Sequence, residues 1–319
     1  MPSSQFPSSS ASTPGLRVSI CIPAYNEGER LLPLIHRLQS MSLPEGRILE
    51  ILVDVSGSTD DSRELLSKRV DPAPPVRVLD SGVRDGLVPA LNRLIAAAQG
   101  NILVRIDADV LLEDGAIPLC LAAVQERGVG IAGPRVVPLS TRENWAARIV
   151  RTLYSIHDLI SREAPKTTVV QVFLKLPLSL PVDSVMEDAA LQHEIAASGY
   201  SARYVPEAVV HIYGPSTLHD LVAQRVRTTR AIQWFTRHYH TVPSTASPRV
   251  VLRAMKRALR EGQIGWADLG AFAGIEALCR GLALFYRMST KPPVGWTPVE
   301  STKPRTLSSP GSSQGETRP

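Results

Sequence analysis

The chain contains 319 residues, 44% of them hydrophobic, so it can bury a core sufficient for one large domain or two modest ones. Its net charge is +5, and residues 225–260 carry basic side chains without an acid, which favours a phosphate-bearing partner or a membrane surface. Aromatic residues make up only 5% and do not alternate with basic ones, so we expect no nucleic-acid partner.

The first half of the chain alternates strand and helix patterns at short spacing. It begins with a Ser/Pro-rich stretch, residues 1–15, which we expect to be a disordered tail rather than a signal peptide or an anchor. Predicted strands cover 17–22, 48–53, 76–79, 102–106 and 130–137. Predicted helices follow Asn26, which we expect to cap the first of them, and cover 59–68, 88–98 and 114–127. This alternation predicts parallel strands with right-handed crossovers.

After residue 140 the pattern becomes mainly helical. Predicted helices cover 144–160, 187–198, 218–238, 250–259 and 264–287, and predicted extended segments cover 169–174 and 204–212. The apolar stretch 264–286 contains Asp268, Glu276 and Arg280, which argue against a membrane-spanning helix. We expect an amphipathic helix that lies on a membrane surface or packs on the domain, and a mostly disordered tail over 291–319.

The three cysteines are far apart and lack the Cys-x-x-Cys spacing. Cys21, Cys120 and Cys279 are typical of small buried residues in a reducing compartment. We therefore expect a cytoplasmic protein, in contact with the inner face of the cell membrane where the basic stretch and the apolar helix meet it.

Two acids end the apolar strand 102–106. Asp107 and Asp109 repel each other unless a cation lies between them. They are expected at the carboxyl edge of the sheet, where open α/β sheets bind ligands. Mg²⁺ or Mn²⁺ takes oxygen ligands of this kind and is usually shared with substrate phosphates. The alternative interpretation is a strand that runs into an ordinary acidic turn.

Polar segments also follow the other predicted strands. Residues 23–27 contain small residues that let backbone groups approach a flat ligand, and Tyr25 offers a stacking face. Asp54 ends the second strand, where an acid can accept a hydrogen bond from a base or a ribose. A plain strand-to-helix turn and helix capping explain these two segments equally well. Residues 84–87, with Asn92 further along the next helix, form the third segment.

Together these segments resemble the family 2 glycosyltransferases with the GT-A fold, over roughly residues 16–240. The resemblance is carried by the motifs V-S-I-C-I-P-A-Y-N-E, G-S-T-D-D-S, D-G-L-V-P-A-L-N and I-D-A-D-V, by M-E-D at 186–188 and by Q-R-V-R at 224–227. Six motifs in this order are far more specific than any one of them.

The resemblance implies a role for each matching residue. The implied donor-binding residues are Pro23, Ala24, Tyr25, Glu27, Asp54, Ser56, Gly86, Asn92 and Asp107. The implied metal ligands for Mg²⁺ or Mn²⁺ are Asp107, Asp109 and His211. The implied catalytic residues are Asp188, the general base, and Glu187 beside it. The implied acceptor and diphosphate contacts are Gln224, Arg225 and Arg227.

Two departures from the family pattern support an alternative function. Asp54 stands one place earlier than the family's acids, and Thr228 stands where Trp is common. They favour a sugar-nucleotide-binding module without activity, which the intact Asp107–Asp109 motif and Glu187–Asp188 oppose. The same Glu187–Asp188 pair also suits a helix N-terminus on electrostatic grounds alone. A nucleotidyltransferase would need a Gly-rich basic loop after the first strand, which residues 23–27 do not provide.

We therefore expect a three-layer α/β/α GT-A domain over residues 16–215 and a helical C-terminal region over 216–290. The expected activity is transfer of a sugar from a nucleotide-diphosphate donor, most often a UDP-sugar in this family, to an acceptor hydroxyl with inversion. We expect the acceptor to be a glycan or a lipid-linked molecule, and the role to be in cell-envelope, exopolysaccharide or glycolipid synthesis.

Overall fold

The computed structural model describes residues 15–289. The tails expected over 1–15 and 291–319 lie outside the described residues, apart from Gly15. The strands of the described part form one sheet; they are β1 (Leu16–Pro23), β2 (Gly46–Asp54), β3 (Val76–Leu79), β4 (Ile102–Ile106), β5 (Leu111–Leu112), β6 (Val129–Leu139), β7 (Val170–Leu174) and β8 (Ser201–Tyr213).

The sheet is mixed, with the strand order β3-β2-β1-β4-β7-β6-β8-β5. The prediction of parallel strands is confirmed for β1 with β2, β1 with β4 and β2 with β3. It is incomplete for the second half, because β7 enters between β4 and β6 and runs antiparallel to both. The strand β6 is parallel to β8, whereas the short β5 pairs antiparallel with β8.

Helices cover both faces of this sheet and extend it at the C-terminal end. They are α1 (Leu31–Gln39), α2 (Ser62–Lys68), α3 (Leu87–Ala97), α4 (Ala116–Val124), α5 (Trp145–Glu163), α6 (Glu187–Ala197), α7 (Leu218–Tyr239), α8 (Pro248–Arg260) and α9 (Trp266–Ser289). Two single 3₁₀ turns, Gly28–Arg30 and Ser244–Ala246, precede α1 and α8.

The sheet is the middle layer because successive strand side chains point to opposite faces. On β1, Ile20 and Ile22 pack with Ile35 of α1, whereas Cys21 packs with Leu91 of α3 on the other face. The expected three-layer α/β/α architecture is confirmed. The three cysteines are buried and unpaired, as expected of small core residues.

The C-terminal helices form a further apolar cluster with α5. Ile156 of α5, Ala254 of α8 and Phe272 of α9 belong to this cluster, and α9 also packs along α7. Of the two expected placements of this apolar helix, packing on the domain is observed. No helix between residues 15 and 289 is both long and apolar enough to cross a membrane.

Asn26 does not cap the first helix, so this prediction is wrong. Its backbone is in the left-handed region (φ 52°), and the position before the 3₁₀ turn is occupied by Glu27 without a capping side chain. The Asn26 side chain instead accepts a hydrogen bond from the Thr59 backbone N–H at 2.8 Å. It thereby joins the turn after β1 to the turn after β2.

Candidate active site

A cavity of about 340 Å³ opens beside the carboxyl end of β4, between α5, α6 and α7. It brings together eight of the residues singled out from the sequence, which are Gly86, Asp107, Asp109, Glu187, Asp188, Gln224, Arg225 and Arg227. The acids come from the first half of the chain and from the start of α6, and the basic residues come from α7. Two of the three predicted metal ligands, the predicted base and the predicted diphosphate contacts therefore share one cavity.

Arg105 connects the two acidic segments of this cavity. Alternation along β4 places its side chain on the α3 and α6 face, where it is 1% exposed. Its Nη2 donates to Asp107 Oδ1 at 2.7 Å and to Glu187 Oε1 at 3.0 Å. Its Nη1 donates to the Thr168 carbonyl at 3.0 Å and to Gln171 Oε1 at 3.1 Å. One guanidinium thus fixes β4, β7 and α6 relative to one another.

The acidic side of the cavity carries more negative charge than Arg105 neutralises. Burial, with a contribution from Asp109, Glu187 and Asp188, raises the pKa of Asp107 to about 7 against the attraction of Arg105. Burial also raises the pKa of Glu187, with Asp188 adding to the shift. A cation bound here would be stabilised by the same field that disfavours these carboxylates.

The donor set suits a divalent cation that a substrate helps to hold. Among residues 15–289, no three His, Cys, Asp or Glu side chains are grouped as a metal site. The predicted trio is therefore not assembled. His211 lies on β8 with its Nε2 at 2.7 Å from Glu113 Oε1, and it does not line the cavity. Asp107 and Asp109 both line the cavity, and their carboxylate oxygens are of the type that Mg²⁺ or Mn²⁺ takes as ligands.

Asp188 is better placed than Glu187 to accept a proton. Glu187 is bound by Arg105, and only 12% of its side chain is exposed. Asp188 Oδ1 accepts a hydrogen bond from the backbone N–H of Ala189 at 2.7 Å. In the described part of the chain its other carboxylate oxygen has no hydrogen-bond partner, and the side chain lines the cavity. The first turn of α6 stabilises the negative charge of both acids through the helix dipole.

The implied donor-binding residues at the ends of β1 and β2, which are those of 23–27 with Asp54 and Ser56, lie outside the cavity lining. The backbone N–H of Ala24 donates to the Asp54 carbonyl at 2.8 Å, which holds the end of β1 against the end of β2. The guanidinium of Arg84 lies 3.9 Å from the centre of the Tyr25 ring. Gly57 (φ +72°) lets the backbone of Arg84 pass close to the turn after β2, because a Cβ there would lie 2.4 Å from the Arg84 backbone nitrogen.

The structure gives Asp54 a partner within the protein. Its side chain is 1% exposed, and Arg93 of α3 binds it, with Nε at 2.8 Å from Oδ2. The same guanidinium binds Ser56 Oγ at 3.0 Å and Asp85 Oδ2 at 2.5 Å. Asp54 is therefore not available to accept a hydrogen bond from a base or ribose, which corrects the implied role. In the sequence, this arrangement goes with the position of Asp54, which is one residue earlier than the acids of the family pattern.

Two other implied donor residues make structural contacts. Asn92 Nδ2 donates to the Leu180 carbonyl, and Asn92 Oδ1 accepts from the Leu180 N–H, both at 2.9 Å. Asn92 thus fastens α3 to the segment before α6. Glu27 lies at the 3₁₀ turn, with a carboxylate oxygen 3.6 Å from Arg30 Nε. Pro23 ends β1 beside this turn.

The wall of the cavity opposite β4 is basic and aromatic, and the sequence did not indicate most of it. Tyr154 and His157 of α5 line it with their rings 5.9 Å apart, and Lys166 follows α5. Arg225 Nε donates to Glu276 Oε1 of α9 at 2.6 Å. Burial lowers the pKa of Arg227, although Glu187 opposes the shift.

Arg105 did carry a signal, because an arginine within the buried strand I-L-V-R-I requires acidic partners. Lys166 carried none, since it stands outside every motif and reaches the cavity only through the fold.

Comparison with known proteins identifies the family and the fold of this chain. Residues 19–174 match the family model described as glycosyl transferase family 2. A dolichol-phosphate mannosyltransferase of Pyrococcus furiosus is 32% identical over 134 residues, covering 41% of this chain and 36% of that protein. A poly-beta-1,6-N-acetyl-D-glucosamine synthase of Staphylococcus epidermidis is 24% identical over 225 residues, covering 66% of this chain and 53% of that protein. The chain thus spans about half of the length of these relatives or less.

Among solved structures, a mannosyltransferase of Pyrobaculum calidifontis in complex with GDP-Man and Mn²⁺ is similar in fold. The TM-score is 0.56 at 21% identity, covering 88% of this chain and 78% of that one. The sheet, its helical layers and this likeness define a GT-A fold. The chain belongs to glycosyltransferase family 2, with relatives among mannosyl-transferring and polysaccharide-synthesising enzymes.

Proposed function

We propose that the protein transfers a sugar from a nucleotide-diphosphate donor to an acceptor hydroxyl, with inversion at the anomeric carbon. The observation that carries the proposal is the pairing of two acidic segments across one cavity. Asp107 and Asp109 end β4, Glu187 and Asp188 begin α6, and Arg105 joins them. A binding module without activity would need only the first of these segments.

The two acidic segments have different roles in this reaction. Asp107 and Asp109 would hold Mg²⁺ or Mn²⁺, which supplies stabilisation of the charge that develops on the departing diphosphate. Asp188 takes the proton of the acceptor hydroxyl. The acceptor oxygen then forms its bond to the anomeric carbon as the bond from that carbon to the diphosphate breaks. The nucleoside diphosphate leaves with the electron pair from the opposite face of the sugar.

Two observations point to different nucleobases in the donor. The family resemblance points to a UDP-sugar, whereas the similar Pyrobaculum structure contains GDP-Man. Asp54 is bound by Arg93, so it does not select between them. We propose a nucleotide-sugar donor that rests against the Tyr25–Arg84 pair, because a planar base of either kind stacks on such a surface.

The proposal also includes a glycan or lipid-linked acceptor and a role in cell-envelope, exopolysaccharide or glycolipid synthesis. It further includes contact with an inner membrane surface. The surface of α8 and α9 supports the membrane contact. Exposed basic residues of α8, among them Arg249, Lys256 and Arg260, and the exposed Trp266 and Leu284 of α9 supply the two kinds of side chain that such a contact needs. Basic and apolar side chains together bind anionic bilayers. Co-sedimentation with anionic but not zwitterionic vesicles is expected, and equal recovery from both would refute the contact.

Calorimetric titration with UDP and with GDP, each with Mn²⁺ and with EDTA, tests the donor site. We expect one nucleotide to bind in a metal-dependent manner, and Asp109→Ala to abolish the binding. Asp71→Ala, which removes an exposed acid outside the cavity, serves as the matched control. Asp188→Asn should keep nucleotide binding and lose nucleoside diphosphate release from sugar donors supplied with envelope lipids or glycans. Absence of binding by either nucleotide would overturn the proposed function.

A further inference from the structure

The cavity has a cationic wall that faces the acids. Lys166 is half-buried in this wall, and in the described part of the chain its ammonium group makes no hydrogen bond or ion pair within 4.0 Å. His157 and Tyr154 line the same wall and contact each other through their rings, without a hydrogen bond from either to the described residues. Three polar groups therefore line the cavity without a hydrogen bond or ion pair from their side chains to the described residues.

Two of the nearby acids are bound by other side chains, and the third, Asp188, attracts Lys166 but forms no ion pair with it within 4.0 Å in the described part of the chain. Asp158 of α5 lines the cavity, but its carboxylate is bound by Arg162 at 3.0 Å and by the Tyr204 hydroxyl at 2.5 Å. Glu187 is bound by Arg105 on the opposite side. Tyr154, His157 and Lys166 are half-buried around the cavity, so an anionic ligand there can pair their polar ends without displacing a protein partner.

The charges on the wall also repel one another. Burial lowers the pKa of Lys166, and Arg225 lowers it further against the attraction of Asp188 and Glu187. Burial lowers the pKa of His157 well below its usual value, and Lys166 and Arg225 add to the shift. Lys166 and His157 also line the same cavity as Tyr154, so one ligand in that cavity can lie against all three. An anion among them would relieve the repulsion, as a cation would on the acidic side.

We propose that Lys166, His157 and Tyr154 form an anion subsite for the acceptor, so that the acceptor carries a phosphate or carboxylate group close to its reacting hydroxyl. This inference rests on the proposed function, because it places the anion on the acceptor side of the sugar-transfer site. The wall is built by α5 and the segment after it, whereas the diphosphate of the donor lies with Asp107 and Asp109 at the end of β4. The ammonium of Lys166 and the Tyr154 hydroxyl donate to the anionic oxygens.

The subsite is tested in protein saturated with Mg²⁺ and with the nucleoside diphosphate that binds, so that the diphosphate position is filled. The probes are methyl phosphate and acetate, with methanol as the neutral comparator, and binding is followed by saturation-transfer NMR. Methyl phosphate, acetate or both should bind, and methanol should not. Octyl phosphate below its micelle concentration then separates a lipid acceptor from a water-soluble one, since only a lipid site gains affinity from the chain.

Variants distinguish the subsite from a second contact with the donor. Lys166→Met should weaken the anionic probe by about tenfold or more, because a hydrogen bond to a charged group is lost. Lys166→Arg should restore part of the affinity, and Lys68→Met, which removes an exposed charge outside the cavity, should leave it unchanged. Nucleotide affinity should stay the same in all three variants.

Two results would overturn the inference. In one, no anionic probe binds to protein that still binds its nucleotide. In the other, Lys166→Met weakens the nucleoside diphosphate but not the nucleoside monophosphate, which would assign Lys166 to the donor. Failure of the unaltered protein to bind either nucleotide is a different outcome, since it refutes the proposed function itself.

Discussion

Replacement of Arg105 by methionine should destabilise the protein by about 3–5 kcal/mol at pH 8, the usual cost of removing one partner from a buried ion pair. Methionine retains much of the side-chain length, so the loss is electrostatic more than steric. The change removes four hydrogen bonds from a side chain that is 1% exposed. It leaves Asp107 and Glu187 facing each other without their shared cation.

Thermal unfolding by calorimetry measures this effect. At about 2 °C per kcal/mol for a chain of this size, we expect Tm to fall by roughly 6–10 °C at pH 8. The loss should be smaller at pH 6, because Asp107, whose pKa is about 7, is then mostly protonated and no longer repels Glu187. Arg63→Met is the matched control: its pair with Asp80 at 3.0 Å is exposed, so about 1 kcal/mol or less is expected. If Arg105→Met lowered Tm at pH 8 by no more than Arg63→Met does, the reasoning would be refuted.

Two further predictions follow from the same region. Because the pKa of Asp107 is about 7 in the folded protein and lower when unfolded, the folded state holds an extra proton between these values, and metal-free stability should fall as pH rises through this window. Asp107→Asn should flatten that slope, and Mn²⁺ should raise Tm more at pH 8 than at pH 6; an unchanged slope would contradict the assignment. Asn92→Ala should cost about 1–3 kcal/mol, because two backbone groups of Leu180 lose their partner. Its nucleotide affinity should equal that of the unaltered protein, and a tenfold loss would show that Asn92 contacts the donor.

Sequence patterns predicted the fold well where structure is local. The buried strand β4 ends in acids as expected, and the leucine stripe of α1 faces the core. The antiparallel entry of β7 was beyond such patterns, because a short apolar run has the same appearance in either direction. The partner of β7 is decided by long-range pairing with β4 and β6.

The site was predictable where motifs coincide with element ends, and less so where side chains meet across the fold. Asp107, Asp109 and Asp188 line one cavity as expected. Asp54 and Asn92 have the residue types that the family uses, but their hydrogen-bonding groups are taken by Arg93 and by the Leu180 backbone. Residue type limits what a side chain can bind, and only the packing of its neighbours decides what it does bind.

The ion pair between Arg225 of α7 and Glu276 of α9 has a practical consequence for shortening the chain. The family match ends at residue 174, so a version cut after α7 would seem to retain the whole glycosyltransferase domain. Such a version would lose Glu276, whose carboxylate holds Arg225 at 2.6 Å, and with it the apolar face of α9 that covers α5. The guanidinium of Arg225, which lines the cavity, would then lack the carboxylate that holds it. The last helix of the described chain thus fixes a basic side chain of a cavity that it does not itself line, and crystallisation or inhibitor screening needs a protein that includes it.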